Sequence, residues 1–426
     1  MRLLSTQRLV GLTTLIACAV MTPAICIEPE GDDAGVLEVV DFLPAGFVRD
    51  ASVSYQKQIQ QAIDEAAEQR AVLEFAPIVY LLDDPAGLKL RSYSRLRMNG
   101  AVFVLAESCD RDGYAFHGVD VQHVQLRGAT VRGQRQKWPD SVNIAGVRIE
   151  GRSAHLEFAD LTFEKLSSHP IGLVGTDKTP ITDVVMREVR TDDCCNEYVD
   201  YLQPHAGPAK GSSRLDQGNV AFYYVQDFVV RNCVFKGSRS DGTHFFECSD
   251  GQFINNHVID NRMGGYFLET CRDVIASGNI IRNNGSRGVT IERDSVDCTL
   301  VNNVITGSGR EGLWAPDVER ILVANNIFRH NGRKNDDNGG GRDCEIRIDE
   351  HSTTPRAPWT TITRDIRIAN NIITTTEHQG AAVFVSAGCL RVAIESNTFT
   401  GEVRLLNVPA DDTSGHLIHD NIGLAP

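Results

Sequence analysis

Basic residues are in deficit: 42 Lys and Arg stand against 56 Asp and Glu, for a formal net charge of −14. A general nucleic-acid binder shows a basic face and a pI above about 9, so that class is excluded. Anionic ligands are not, because binding depends on the local field and not on the sum. Much of the excess is N-terminal, with ten acids and three bases in residues 27 to 70. Apolar runs of membrane-spanning length, about 20 residues, are missing beyond the first 27 positions. The mature chain therefore has no transmembrane segment. No Cys-x-x-Cys pair or Cys/His cluster has zinc-like spacing, and no stretch is biased enough for wholesale disorder. With 42% hydrophobic residues, the chain can bury a sizeable core.

Residues 1–27 read as an export signal. Arg2 and Arg8 precede LVGLTTLIACAVMTPA, an apolar stretch that ends in small residues. Cleavage after Ala24 would release a secreted or periplasmic protein. Leu15-Ile16-Ala17-Cys18 resembles a lipobox, so lipidation at Cys18 and retention at the cell surface is the competing route. Export permits disulfides, and Cys248 and Cys271 are one candidate pair.

The remaining 28–426 read as one domain built on a repeat. From Phe228 onward VVRNCVFKG, FINNHVIDN, IASGNIIRN, LVNNVITGS, LVANNIFRH, IRIANNIIT and IESNTFTGE can be stacked. This places Cys233, His257, Asn279, Asn303, Asn326, Asn371 and Asn397 in one column, at separations of 24, 22, 24, 23, 45 and 26 residues. A period near 24 residues made of short alternating strands and polar corners leaves no room for a helix of about 10 to 12 residues. It predicts an all-β solenoid whose stacked Asn amides bond along the ladder. Weaker coils precede it in VQLRGATVRG, HLEFADLTFE and VVMREVRTD. Two segments are too polar for coils and read as loops: 191–219, and 331–343 with its Asp/Gly run.

Residues 54–69 carry helix formers with Ile59, Ile63 and Ala66 near helical spacing and Ser54 as N-cap. With AVLEFAPIVYLL and LKLRSYSRLRMNGAVFVL following this helix, the sequence resembles the pectin-lyase-like right-handed parallel β-helix superfamily. The resemblance covers about residues 50 to 425 and implies a single right-handed parallel β-helix with an N-terminal capping helix. It does not choose a reaction, because the superfamily holds lyases, hydrolases, epimerases and non-enzymatic proteins.

Candidate site residues come from stacking GTHFFEC, GYFLETC, GVTIERD and GLWAPDV. Phe245, Leu268, Ile291 and Ala315 share the inward parity, so His244, Phe267, Thr290 and Trp314 face outward, as do Phe246, Glu269, Glu292 and Pro316. Aromatic and ionisable side chains in such columns describe a carbohydrate-binding groove. Arg239, Arg262 and Arg287 gather at the preceding corner. Either Asp241, Glu269 and Glu292 neutralise them, or they receive substrate carboxylates or sulfates. Lys236 ends its strand at the same corner. Tyr223 either lies inside or, if Val220 and Phe222 point inward, faces out beside Phe246.

A lyase on a uronate polymer must neutralise the C5 carboxylate, remove the C5 proton and assist departure of O4. Arg239, Arg262 or Arg287 suit the first task, His244 or Tyr223 the second, and Tyr223 or Lys236 the third. Phe267, Trp314, Asp241, Glu269, Arg287 and Glu292 then bind substrate. The leading expectation is a polysaccharide lyase acting on an alginate- or pectin-like anionic polymer. A mannuronan-type C5-epimerase would use the same parts, though a DPHD motif is missing. A glycoside hydrolase would use a carboxyl pair such as Glu269 and Glu292, but NTDG and GHG signatures are missing. A non-catalytic carbohydrate-binding surface protein needs only the aromatics. No cofactor is required. Calcium is the one ion with candidate ligands, in Asp336-Asp337-Asn338 or among Asp241, Glu269 and Glu292.

Overall fold

In the computed structural model the described residues are 35–196, 218–333, 344–351, 360–403, 406–409 and 413–424. Short strands, three to a coil, wind into three parallel sheets of 15, 13 and 12 strands. A representative coil runs Val225–Arg231, Val234–Lys236 and Thr243–Phe246, one strand in each sheet. The architecture is a right-handed parallel β-helix. The weaker upstream repeats are coils as expected, with strands Gln122–Arg127 and Thr130–Arg132, Ala154–Ala159 and Thr162–Glu164, and Ile181–Arg187 and Arg190–Asp192. From Gly35 the chain is one compact unit. Residues 1–27, read from the sequence as an export signal, most of the segment 191–219 expected to be a loop, and Asp336, Asp337 and Asn338 lie outside the described residues.

Alternation explains the core. Phe222, Phe245, Leu268, Ile291 and Ala315 are all within 1% of full burial and stack in register along the interior. Phe228 and Phe245 stack with centroids 5.4 Å apart, and Phe222 meets Phe245 edge to face at 5.3 Å. Such pairs add to the area they bury.

The corner between the 15- and 13-stranded sheets explains the recurrent Asn-Asn dipeptides. Asn255, Asn302, Asn325 and Asn370 adopt positive φ of 54 to 57°, which Asn tolerates better than most side chains. The second Asn of each pair enters a buried amide ladder, with Nδ2 donating to the next Oδ1. The distances are 3.2 Å for Asn256 to Asn279, 2.8 Å for Asn279 to Asn303, 3.0 Å for Asn303 to Asn326 and 3.1 Å for Asn326 to Asn371. The ladder continues through Asn397 to Asn421. Its register corrects one expectation: Cys233 donates its N–H to Asn256, not to His257. His257 lies one position later, exposed and paired with Val234, because the coils are spaced by 23 residues from Cys233 to Asn256 and again from Asn256 to Asn279. Asn303→Leu would strand two donors of Asn279, its backbone N–H and its Nδ2, which both bond the Asn303 Oδ1. It is expected to lower stability by more than about 2 kcal/mol, read as an earlier urea midpoint at unchanged slope.

Helix α1, Gln56–Glu68, covers the first coil with Ile59, Ala62, Ile63 and Ala66 buried. Its N-cap is Tyr55, not Ser54. The Ser54 hydroxyl accepts the Gln56 N–H at 3.4 Å and donates to Asp83 at 2.6 Å, and the buried Gln56 amide ties the helix to Asp84 and Gly87. Cys248 and Cys271 also differ from expectation, since both are free thiols. They point the same way in successive coils, each Sγ donating to a carbonyl of the coil before, Phe222 at 3.4 Å and Phe245 at 3.3 Å.

Candidate functional site

The outer face of the 12-stranded sheet carries the site. Two columns run along it in register. One passes through Ala221, His244, Phe267, Thr290, Trp314 and Arg347, the other through Tyr223, Phe246, Glu269 and Glu292. Phe222 points into the core, so Tyr223 faces outward beside Phe246, with ring centroids 5.7 Å apart.

At the centre, four side chains from four coils form a continuous chain of polar contacts. The Tyr223 hydroxyl lies 3.1 Å from His244 Nδ1, and His244 Nε2 lies 3.1 Å from Glu269 Oε2. Arg293 then donates Nη1 to Glu269 Oε1 at 2.6 Å and reaches Glu292 with Nε at 3.1 Å. Glu269, doubly engaged, holds the imidazole with Nδ1 turned to the phenol. Phe267 stacks on the same imidazole, centroids 4.6 Å apart and planes within 10°. His244 and Glu269 are 0% exposed and Tyr223 is 4% exposed. With Arg293 at 5%, the phenol and the guanidinium are the two ends of the chain that reach the surface.

Sequence patterning brings Tyr223, His244, Phe267, Glu269 and Glu292 together, but it overlooks Arg293. Parity along the strand gives Arg293 no outward place. The backbone provides it, since Arg293 and Asp294 adopt φ of 57° and 62°, turning the guanidinium back onto the carboxylates. The recurrence of positive φ at Tyr224, Glu247, Thr270, Arg293 and Asp317 marks this corner, a signal visible only once the coils are in register.

The other expected residues lie around this centre. Arg239 and Arg262 are stacked one coil apart at the preceding corner, and Arg262 Nη1 donates to the Arg239 carbonyl at 3.3 Å. Arg287 covers Trp314, its guanidinium carbon 3.7 Å from the ring centroid, and pairs with buried Glu311 at 3.3 Å. Glu311, not Asp241, Glu269 or Glu292, is therefore its nearest carboxylate. Trp314 donates to Asp349 at 2.7 Å. Lys236 is not brought into the cluster: it lies on the 13-stranded sheet, 47% exposed, with Asp192 at 3.8 Å. Among the described residues no group of three or more His, Cys, Asp or Glu is arranged to hold a metal ion.

Asp241 is buried behind the corner and accepts the Gly264 N–H at 2.7 Å. Burial, partly offset by that hydrogen bond and by Arg287, pushes its pKa up to about 7. Burial likewise pushes Glu345 to about 7, against the amides of Asn331 and Gln379 that hold its carboxylate. For both, the folded value exceeds the ordinary 3.8 or 4.5, so the folded state binds more protons over that interval. Folding stability should therefore fall as pH rises from about 4 to about 7. Asp241→Asn and Glu345→Gln should each flatten that slope in urea titrations run at successive pH values.

A solenoid with one ligand-shaped face of aromatic and ionisable columns is the architecture of the pectin-lyase-like β-helix proteins. The family model for the right handed beta helix region matches residues 108–328, and the chain belongs to that family. No curated protein matches the chain in a sequence comparison. Among solved structures, the A-module of mannuronan C-5 epimerase AlgE6 from Azotobacter vinelandii superposes with a TM-score of 0.73 at 16% identity, over 91% of this chain and 99% of that one. The AlgE4 A-module of the same organism gives 0.68 at 15%, over 91% and 100%. The exopolygalacturonase of Thermotoga maritima gives 0.62 at 13%, over 86% and 91%. At these identities the likeness is one of fold. No helix among the described residues is long and apolar enough to cross a membrane.

Proposed function

We propose that the protein is exported and acts on a uronate-containing polysaccharide, removing the C5 proton and eliminating the O4 substituent. The observation that carries this reading is the Tyr223–His244–Glu269–Arg293 chain. It is a device for taking a proton from a phenol: the hydroxyl passes its proton to Nδ1, and the Glu269 carboxylate stabilises the imidazolium that forms. The phenolate then takes the proton from C5. The electron pair of the broken C5–H bond forms the C4=C5 double bond as the C4–O4 bond breaks, and the phenol returns its proton to O4. Arg239 and Arg262, at the corner beside the His244 strand, neutralise the C5 carboxylate as charge develops. Phe246, only half-buried, offers sugar-stacking surface, whereas the Trp314 face is taken by Arg287.

Hydrolysis fits the same residues less well. It requires one carboxyl group able to donate a proton and a second to act as nucleophile or base. Glu269 and Glu292 both turn onto one arginine and are at most 1% exposed, so neither reaches a glycosidic oxygen in the groove.

Epimerisation has a specific observation in its favour, since two of the structurally similar proteins are mannuronan C-5 epimerases. It uses the same abstraction and returns the proton to the opposite face, leaving C4–O4 intact. Incubation with polymannuronate and polygalacturonate in deuterated water separates the outcomes. Ultraviolet-absorbing unsaturated ends support the lyase. Deuterium at C5 without them supports the epimerase. Carboxylate recognition is tested by Arg239→Ala, which should raise KM on the acidic polymer and lower kcat as well. No change in either would remove Arg239 from the site.

A further inference from the structure

A second polar cluster lies on the same face, N-terminal to the first, and the reaction above does not use it. Arg148 continues the column of Ala221 and His244 through Gly172. It is 8% exposed, and two groups hold its guanidinium: Nε donates to Glu150 at 2.9 Å and Nη1 lies 3.3 Å from His169 Nε2. Arginine only donates, so His169 Nε2 accepts and its Nδ1, 3.2 Å from the Ser168 hydroxyl, carries the proton. Glu150 is engaged a second time by His117, 3.4 Å away. The His169 ring occupies the space over Gly172 so closely that a Cβ there would lie 2.1 Å from Nε2. Gly172 is therefore required for this arrangement. The Arg148 Nη2 has no hydrogen-bond partner among the described residues.

We propose that Arg148 is a carboxylate-binding subsite for the polymer, two coils before Tyr223. This rests on the uronate reading above. A chain laid along the solenoid axis passes from Tyr223 over Ala221 and His169 to Arg148, two coils or about 10 Å away, a span comparable to two sugar units. At that distance the carboxylate of a non-reacting sugar meets the open edge of the guanidinium. Glu150 and His169 fix the plane of the guanidinium, so little side-chain entropy is lost on binding.

The test uses the full mature chain carrying Tyr223→Phe, which binds without turnover, and calorimetric titration with the disaccharide and hexasaccharide of polymannuronate and polygalacturonate. Arg148→Gln is expected to weaken the hexasaccharide roughly tenfold or more and to leave the disaccharide at the reacting position unchanged. Arg148→Lys, which keeps the charge but loses the fork, should fall between. Equal weakening of both lengths, or of neither, would overturn the subsite while leaving the substrate class standing. Failure of the Tyr223→Phe protein to bind any uronate oligomer would overturn the substrate class and the subsite with it.

Discussion

Tyr223→Phe is expected to reduce turnover of the acidic polymer by about 10²–10⁴-fold, the usual contribution of a positioned proton-transfer group. The substitution removes one oxygen and keeps the ring beside Phe246, so melting and circular dichroism should stay close to those of the parent. His244→Ala should fall into the same range, because the imidazole that receives the phenol's proton is removed. The double variant should be no slower than the worse single one, since residues that act as a unit are not additive. Full activity in Tyr223→Phe would place the base elsewhere in the groove.

The second large effect is expected on stability. Arg293 is the partner shared by Glu269 and Glu292, and all three are at most 5% exposed. Arg293→Ala removes the counterion that two buried carboxylates share, a change that costs about 3–5 kcal/mol for a broken buried pair. The loss should have a pH signature. Burial without the arginine raises the folded-state carboxyl pKa values above their unfolded ones, so stability should recover as the pH falls and these groups take up protons. Adding Glu269→Gln and Glu292→Gln should restore part of the stability at neutral pH but not the activity, because an amide cannot stabilise the imidazolium of His244. Denaturant melts of the single and triple variants across pH separate these two roles. A pH-independent loss in Arg293→Ala would mean that packing, and not charge, is what Arg293 supplies.

The sequence is legible wherever one residue type recurs at one place in each coil. Asn279, Asn303, Asn326 and Asn371 marked the amide ladder because each coil repeats the same demand, an amide that both donates and accepts. The alternation of Phe245 and Leu268 against His244 and Glu269 set the two faces of the sheet, and with them most of the central chain. What was not legible depends on register and on places where the backbone departs from alternation. His257 is misplaced because the ladder position is Asn256, 23 residues after Cys233 and 23 before Asn279, and the Asn255-Asn256 pair allows a stack one residue out of register. Arg293 was missed because a positive-φ turn swings it back across its own strand. Lys236 was grouped with the site because it is close in sequence to the arginines, yet a corner separates the two sheets. Arg148 is overlooked although Gly146-Val147-Arg148-Ile149-Glu150 repeats the pattern of Gly288-Val289-Thr290-Ile291-Glu292, because the stacking starts downstream of Phe228, and His169 precedes its strand instead of lying in it.

The central claim is that the groove removes a proton from C5 of a uronate through Tyr223. It is tested most directly by incubating the mature protein and its Tyr223→Phe variant with polymannuronate and polygalacturonate. Ultraviolet absorbance and reducing ends are followed together. The account predicts absorbing unsaturated ends that rise in step with reducing ends, and their loss in the variant. Reducing ends without absorbance, undiminished by Tyr223→Phe, would contradict it.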